Sequence, residues 1–148
     1  MTKTTSQPRS GRFTVLILSV LQLVGCGVDR LTTQDPATEA QAEAIKWSYR
    51  AAEVKGIKLD AVVFDDPVNC GKDCVAGAWA VCGQHAVGWN KNWLEEPGAM
   101  RYIKGFAAHE VCHVYYKDNL PCTLLSMVDR EAMEQRAGEC GEELMGRM

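Results

Sequence analysis

Two histidines four positions apart, in the segment His109-Glu110-Val111-Cys112-His113, constrain what this chain can fold into more than any other feature. At that spacing two side chains lie about one turn apart on one face of an α-helix, where both imidazoles can reach a single divalent cation. The chain has three histidines, and two of them fall in this segment. Zinc is the expected ion, because it is a borderline-soft cation that suits neutral imidazole. Glu110 directly follows the first histidine. Its carboxylate is therefore expected beside the ion and not on it, in the general-base arrangement of a zinc hydrolase.

The N-terminus points to export. Lys3, Arg9 and Arg12 precede an apolar run over residues 13–25 that ends in Leu23-Val24-Gly25-Cys26. Thirteen residues are too few to cross a bilayer as a helix, which needs about 20, so residues 1–25 read as a cleaved signal. Leu23, Val24, Gly25 and Cys26 resemble the lipobox of bacterial lipoproteins. That resemblance implies acylation of Cys26, whose chains would bury CH₂ groups worth about 0.8 kcal/mol each in a membrane. It also implies a protein held at the bacterial cell envelope. Gly27 follows the cysteine, where an aspartate would act against sorting, so the outer membrane is favoured in a cell with two membranes. Removing three of the sixteen bases and no acids leaves thirteen against nineteen, a formal charge of −6. Nucleic acid is not an expected partner.

The remaining length suits one domain, residues 36–148, on a tether of residues 26–35. Cys70, Cys74, Cys82, Cys112, Cys122 and Cys140 form an even set in an exported small domain, which reads as up to three disulfides with 15 possible connectivities. Cys112 lies inside the metal segment. Its side chain is expected to point away from the ion and to staple the active helix to a neighbour.

Local patterns place the elements. Asp35-Pro36 supplies an N-cap and a first-turn proline for a helix that Gly56 ends, with Ala40, Ala44, Trp47, Ala51 and Val54 on its core face. Residues 57–64 read as a strand, with Ile57, Leu59, Ala61 and Val63 on one face. Residues 77–82 and 86–90 read as a hairpin about Gly83-Gln84-His85. Glu95-Glu96-Pro97 opens the metal helix, and Asp118-Asn119-Leu120-Pro121 breaks it. Ser126 and Asp129 match a capping box for a last, acidic helix that runs to about residue 145.

A hydrolytic zinc ion takes three protein ligands and leaves a position open for water. His85 is the only other histidine, and Tyr116 and Asn119 stand where an extended metzincin pattern needs glycine and a third histidine. A carboxylate of the last helix remains. The chain here resembles the gluzincin metallopeptidases, in particular very small members. The resemblance rests on the His-Glu-x-x-His segment and on Glu134-Gln135-Arg136-Ala137-Gly138, which matches their Glu-x-x-Ala-Asp pattern at Glu134 and Ala137. It implies an α+β, zincin-like fold: an N-terminal helix, a small three-stranded sheet, the metal helix and a glutamate helix. Gly138 departs from the pattern, and the aspartate it replaces would hydrogen-bond a metal-bound histidine. On the residues alone, Ala137, Gly138 and Gly141 would let the Glu134 face come close to the metal helix; Glu131 and Glu139 remain alternative ligands.

The expected activity is zinc-dependent hydrolysis of a peptide or protein substrate, with His109, His113 and Glu134 on Zn²⁺ and Glu110 as general base. Residues 86–90 are the expected sheet edge for a substrate strand. Trp89, Phe106, Tyr115 and Tyr116 are possible cleft residues, and His85, Tyr116 and Arg130 possible oxyanion donors. A non-catalytic zinc-binding lipoprotein, an envelope protein that binds no metal, and an amidase acting on a cell-wall crosslink are the competing readings.

Overall fold

The computed structural model describes residues 31–65, 77–118 and 130–148. The first helix, α1 (Glu39–Lys55), starts at Thr38 and not at Asp35. Thr38 Oγ1 accepts from the Gln41 amide (3.2 Å), while Gln41 Oε1 accepts from the Ala37 amide (2.7 Å). This reciprocal pair satisfies two donors that an aspartate before proline would leave open. Gly56 ends the helix in the left-handed region (φ +77°), as expected. Ala44, Ser48 and Ala51 are fully buried, whereas Ala40, Trp47 and Val54 pack at the margin of the core.

Strand β1 (Ala61–Asp65) begins later than the sequence suggests, because Ile57 still donates to Ala52 O as part of the helix cap. Its outer edge is covered by part of the expected tether. The Gln34 amide donates to Val62 O, Gln34 Oε1 accepts from the Phe64 amide, and Thr33 Oγ1 accepts from the Val62 amide. An exposed strand edge is a liability, and these contacts extend the folded body back to Thr33.

Strands β2 (Ala78–Ala80) and β3 (Ala86–Asn90) form the expected hairpin. The sheet order is β1-β3-β2, with β1 parallel and β2 antiparallel to β3. This corrects one expectation: residues 86–90 are the central strand, all five buried, and β2 is the edge. Gly88 faces Trp79 across the hairpin, and a Cβ there would fall 2.2 Å from the indole ring.

Asn90 then does two jobs. It ends β3, and its side chain accepts from the Asn92 and Trp93 amides to cap a short helix, α2 (Lys91–Leu94), which the sequence reading missed. Glu95 and Glu96 close that turn through their amides, and Gly98 has φ +93°. The metal helix, α3 (Met100–Tyr116), therefore begins after Gly98 and not at Glu95-Glu96-Pro97. The last helix, α4 (Arg130–Arg147), runs slightly past the expected end; the Ser126–Asp129 box lies outside the described residues.

The result is an α+β architecture of four helices and a small three-stranded mixed sheet. Helix α3 lies at its centre, packed on α1, α4 and the sheet. Trp89, Ile103, Leu144, Val62, Val87 and Val111 are the large, fully buried side chains. Each stabilises the fold by roughly 1.5–3 kcal/mol relative to exposure. The Trp89 indole donates to Ser48 Oγ (3.1 Å), which in turn donates to Ala44 O (2.7 Å), and among the described residues no buried side-chain nitrogen or oxygen lacks a partner.

Candidate metal centre

His109 and His113 project from one side of α3 with their ring centroids 4.7 Å apart. Their Nε2 atoms are separated by 3.1 Å. Glu134 of α4 brings Oε2 to 3.1 Å from Nε2 of His109 and 3.5 Å from Nε2 of His113. Ligands about 2.0–2.1 Å from a tetrahedral ion stand about 3.3–3.4 Å from one another. Two imidazole nitrogens and one carboxylate oxygen thus form a triangle of the size a small divalent cation requires, and the group could hold a metal ion. Glu131 and Glu139 are not in this group, and Glu139 accepts instead from Gln135 at 3.0 Å.

Small residues bring α4 to this place. A Cβ on Gly141 would lie 3.2 Å from the His109 backbone nitrogen and 3.3 Å from its Cα, so the helices touch backbone to backbone. Ala137 is fully buried beside it. Gly138 lines the cavity, and a Cβ there would meet nothing within 4 Å. The disulfide Cys112–Cys140 joins the same two helices with both cysteines buried, which is the staple expected for Cys112. Cys82 is also disulfide-bonded; Cys70, Cys74 and Cys122 lie outside the described residues, as do Cys26 and the signal segment.

Glu110 faces the same cavity from between the two histidines, and only 8 % of its surface is exposed. Burial pushes its carboxyl up to about 8, a hydrogen bond from the backbone of Ala80 opposes the rise, and the charge of Glu134 adds to it. The cavity is about 730 Å³, and Trp79, Phe106, Met133 and Met145 give it apolar walls. Among the suggested cleft aromatics only Phe106 belongs to it. Trp89 is fully buried core, and Tyr115 and Tyr116 pack against Lys55 and Arg136 instead. Of the three suggested oxyanion donors, Arg130 lines the cavity; His85 lies in the exposed hairpin turn, and Tyr116 is not in the cavity wall.

Two residues that the sequence reading passed over belong to the centre. Asp118, read only as a helix breaker, places Oδ2 3.1 Å from Nδ1 of His113 with its side chain 6 % exposed. Its other oxygen accepts from the Arg136 guanidinium. The acceptor missing at Gly138 is thus present from another direction. Its place two residues after Glu134 could have flagged Arg136, but nothing local marks Asp118.

No protein-family model, curated protein or solved structure matches this chain. Among the described residues no helix is long and apolar enough to cross a membrane.

Proposed function

We propose that this chain is a zinc-dependent metallopeptidase of the bacterial cell envelope, built on a minimal zincin-like fold of the gluzincin kind. The observation that carries the reading is the convergence of His109, His113 and Glu134 donor atoms beside a buried carboxyl, Glu110, at the wall of one open cavity. Bound there, Zn²⁺ would polarise a carbonyl and lower the pKa of water towards about 7.

The chain's own groups then have distinct tasks. Glu110 takes the proton of the attacking water and returns it to the leaving nitrogen, and a cation held beside it would favour the carboxylate form that accepts the proton. Edge strand β2 borders the cavity through Ala78, Trp79 and Ala80, so an extended peptide adds to the sheet on that side. Trp79, Phe106, Met133 and Met145 favour apolar substrate side chains, and Arg130 supplies a cationic donor for the carbonyl oxygen. Lipid on Cys26 would leave six residues between the anchor and the folded body at Thr33. That is a reach of roughly 25 Å at most, which confines the enzyme to substrates near the membrane.

The test is zinc content and casein hydrolysis by the purified protein and by Glu110→Gln. One zinc per chain in both proteins, with hydrolysis reduced about 10²–10⁴-fold in the variant, is the expected result. A wild type without stoichiometric zinc, or a variant as active as the wild type, overturns the peptidase reading. Full occupancy with no turnover in the wild type selects a non-catalytic zinc lipoprotein.

A further inference from the structure

We propose that Asp118, clamped by Arg136, is the positioning residue of the metal centre: it holds the imidazole proton of His113 on Nδ1 and so keeps the Nε2 lone pair turned toward His109 and Glu134. The inference rests on the metal-site reading above, but its first measurement requires no metal.

The geometry begins in the backbone. Helix α3 ends with Lys117 at φ +61°, the only non-glycine residue with positive φ among the described residues. The Lys117 amide donates to Val114 O (3.2 Å), and the Asp118 amide reaches back to His113 O (3.0 Å). That pair of bonds folds the chain over the last turn, as in a Schellman cap. The left-handed region is unfavourable for a lysine, and what the turn achieves is to return the Asp118 side chain to the residue its backbone already holds. Asp118 therefore contacts His113 twice, through its amide and through Oδ2.

A carboxylate only accepts, so the hydrogen bond between Oδ2 and Nδ1 requires the proton on Nδ1. Neutral imidazole carries one proton, and Nε2 is then the bare nitrogen, 3.1 Å from Nε2 of His109 and 3.5 Å from Glu134. An unconstrained imidazole in water favours the opposite tautomer, which would block that site. Arg136 pairs with the second oxygen of Asp118 and lies over the Tyr116 ring at 4.6 Å, so the carboxylate is held from both ends. Arg136 stands two residues after Glu134 on α4. One helix thus supplies a ligand to the centre and the clamp on the group that orients a second ligand. Partners of this kind alter metal affinity about 10–100-fold.

The experiment uses the full chain in three variants, Asp118→Ala, Asp118→Asn and Arg136→Gln. Long-range ¹H–¹⁵N spectra of the metal-free protein at neutral pH report the His113 tautomer, and titration with Zn²⁺ against a competing chelator reports affinity. The wild type is expected to show Nδ1–H; Asp118→Ala is expected to shift the proton to Nε2 and to bind zinc about 10–100-fold more weakly. Asp118→Asn keeps an acceptor oxygen and is expected to recover most of the affinity, while Arg136→Gln loses an intermediate amount. Because Arg136 is half exposed, that variant is expected to fold and to decide the matter should Asp118→Ala not fold. An Nε2–H tautomer in the wild type overturns the proposal. So does an affinity unchanged in both Asp118→Ala and Arg136→Gln. If the wild type binds no zinc, the peptidase reading fails, and the tautomer of His113 alone still decides the role of Asp118.

Discussion

Glu110 is a carboxyl group placed where water hardly reaches it, and its pKa near 8 follows mainly from that burial. The shift makes the metal-free protein sensitive to pH in a defined direction. A carboxyl with a folded-state pKa raised from 4.5 to about 8 binds a proton more tightly when folded. The stability this contributes is fully present below pH 4.5 and is lost as pH rises through about 8. The thermal midpoint of the metal-free protein is therefore expected to fall between pH 5 and pH 8.5, and Glu110→Gln is expected to flatten that slope. Zinc should flatten it as well, since a nearby cation favours the carboxylate. A midpoint independent of pH in the metal-free wild type would show that Glu110 is solvated and not buried. On the same scale, His113 has both ring nitrogens engaged, Nδ1 with Asp118 and Nε2 3.1 Å from Nε2 of His109.

The contact between α3 and α4 turns two histidines into a three-donor site, and its closest point is Gly141 against the His109 backbone. A branched side chain there has no flexible neighbour to displace, only main chain. Gly141→Val is expected to destabilise the protein by about 1–3 kcal/mol and to weaken zinc binding more than a stability loss alone explains, since the helices must part and Glu134 with them. Chemical denaturation and zinc titration of the same variant check both; an affinity equal to that of the wild type would mean that Glu134 is not placed by this contact. Gly138 behaves differently. It faces open cavity, so its lack of a side chain widens the cavity and does not serve packing.

Across the whole molecule, the cross-link between α3 and α4 ties parts of the chain 28 residues apart. A loop of that length contributes about 3–4 kcal/mol by restricting the unfolded chain. Replacing Cys112 and Cys140 together by serine is expected to cost about that much in denaturant unfolding and to lower zinc affinity, with the far-ultraviolet circular dichroism retained. Unchanged stability would show that helix packing alone carries the joint. The remaining body leans on the same helix: α1 and the sheet pack on α3, and Trp89 links the central strand to α1 through Ser48. The histidine pair therefore sits on the helix that α1, α4 and the sheet all pack against, which suits a group of donors that must be held in place.

What the sequence alone determined was local in origin. The His109–His113 spacing, the Gly56 stop, the Gly83-Gln84-His85 turn and the small residues around Glu134 each act within a few positions, and each is read directly from residue type. Element starts were less legible where two local signals competed. Asn90 served as strand end and helix cap, and Thr38 displaced Asp35 because Gln41 could answer it. Only the tertiary structure decided that β3 is central, that Glu134 and not Glu131 meets the histidines, that Cys112 pairs with Cys140, and that Asp118 replaces the acceptor absent at Gly138. These are contacts between distant segments, set by how whole faces pack, and no spacing along the chain encodes which carboxylate a folded helix will bring within 3.1 Å of an imidazole.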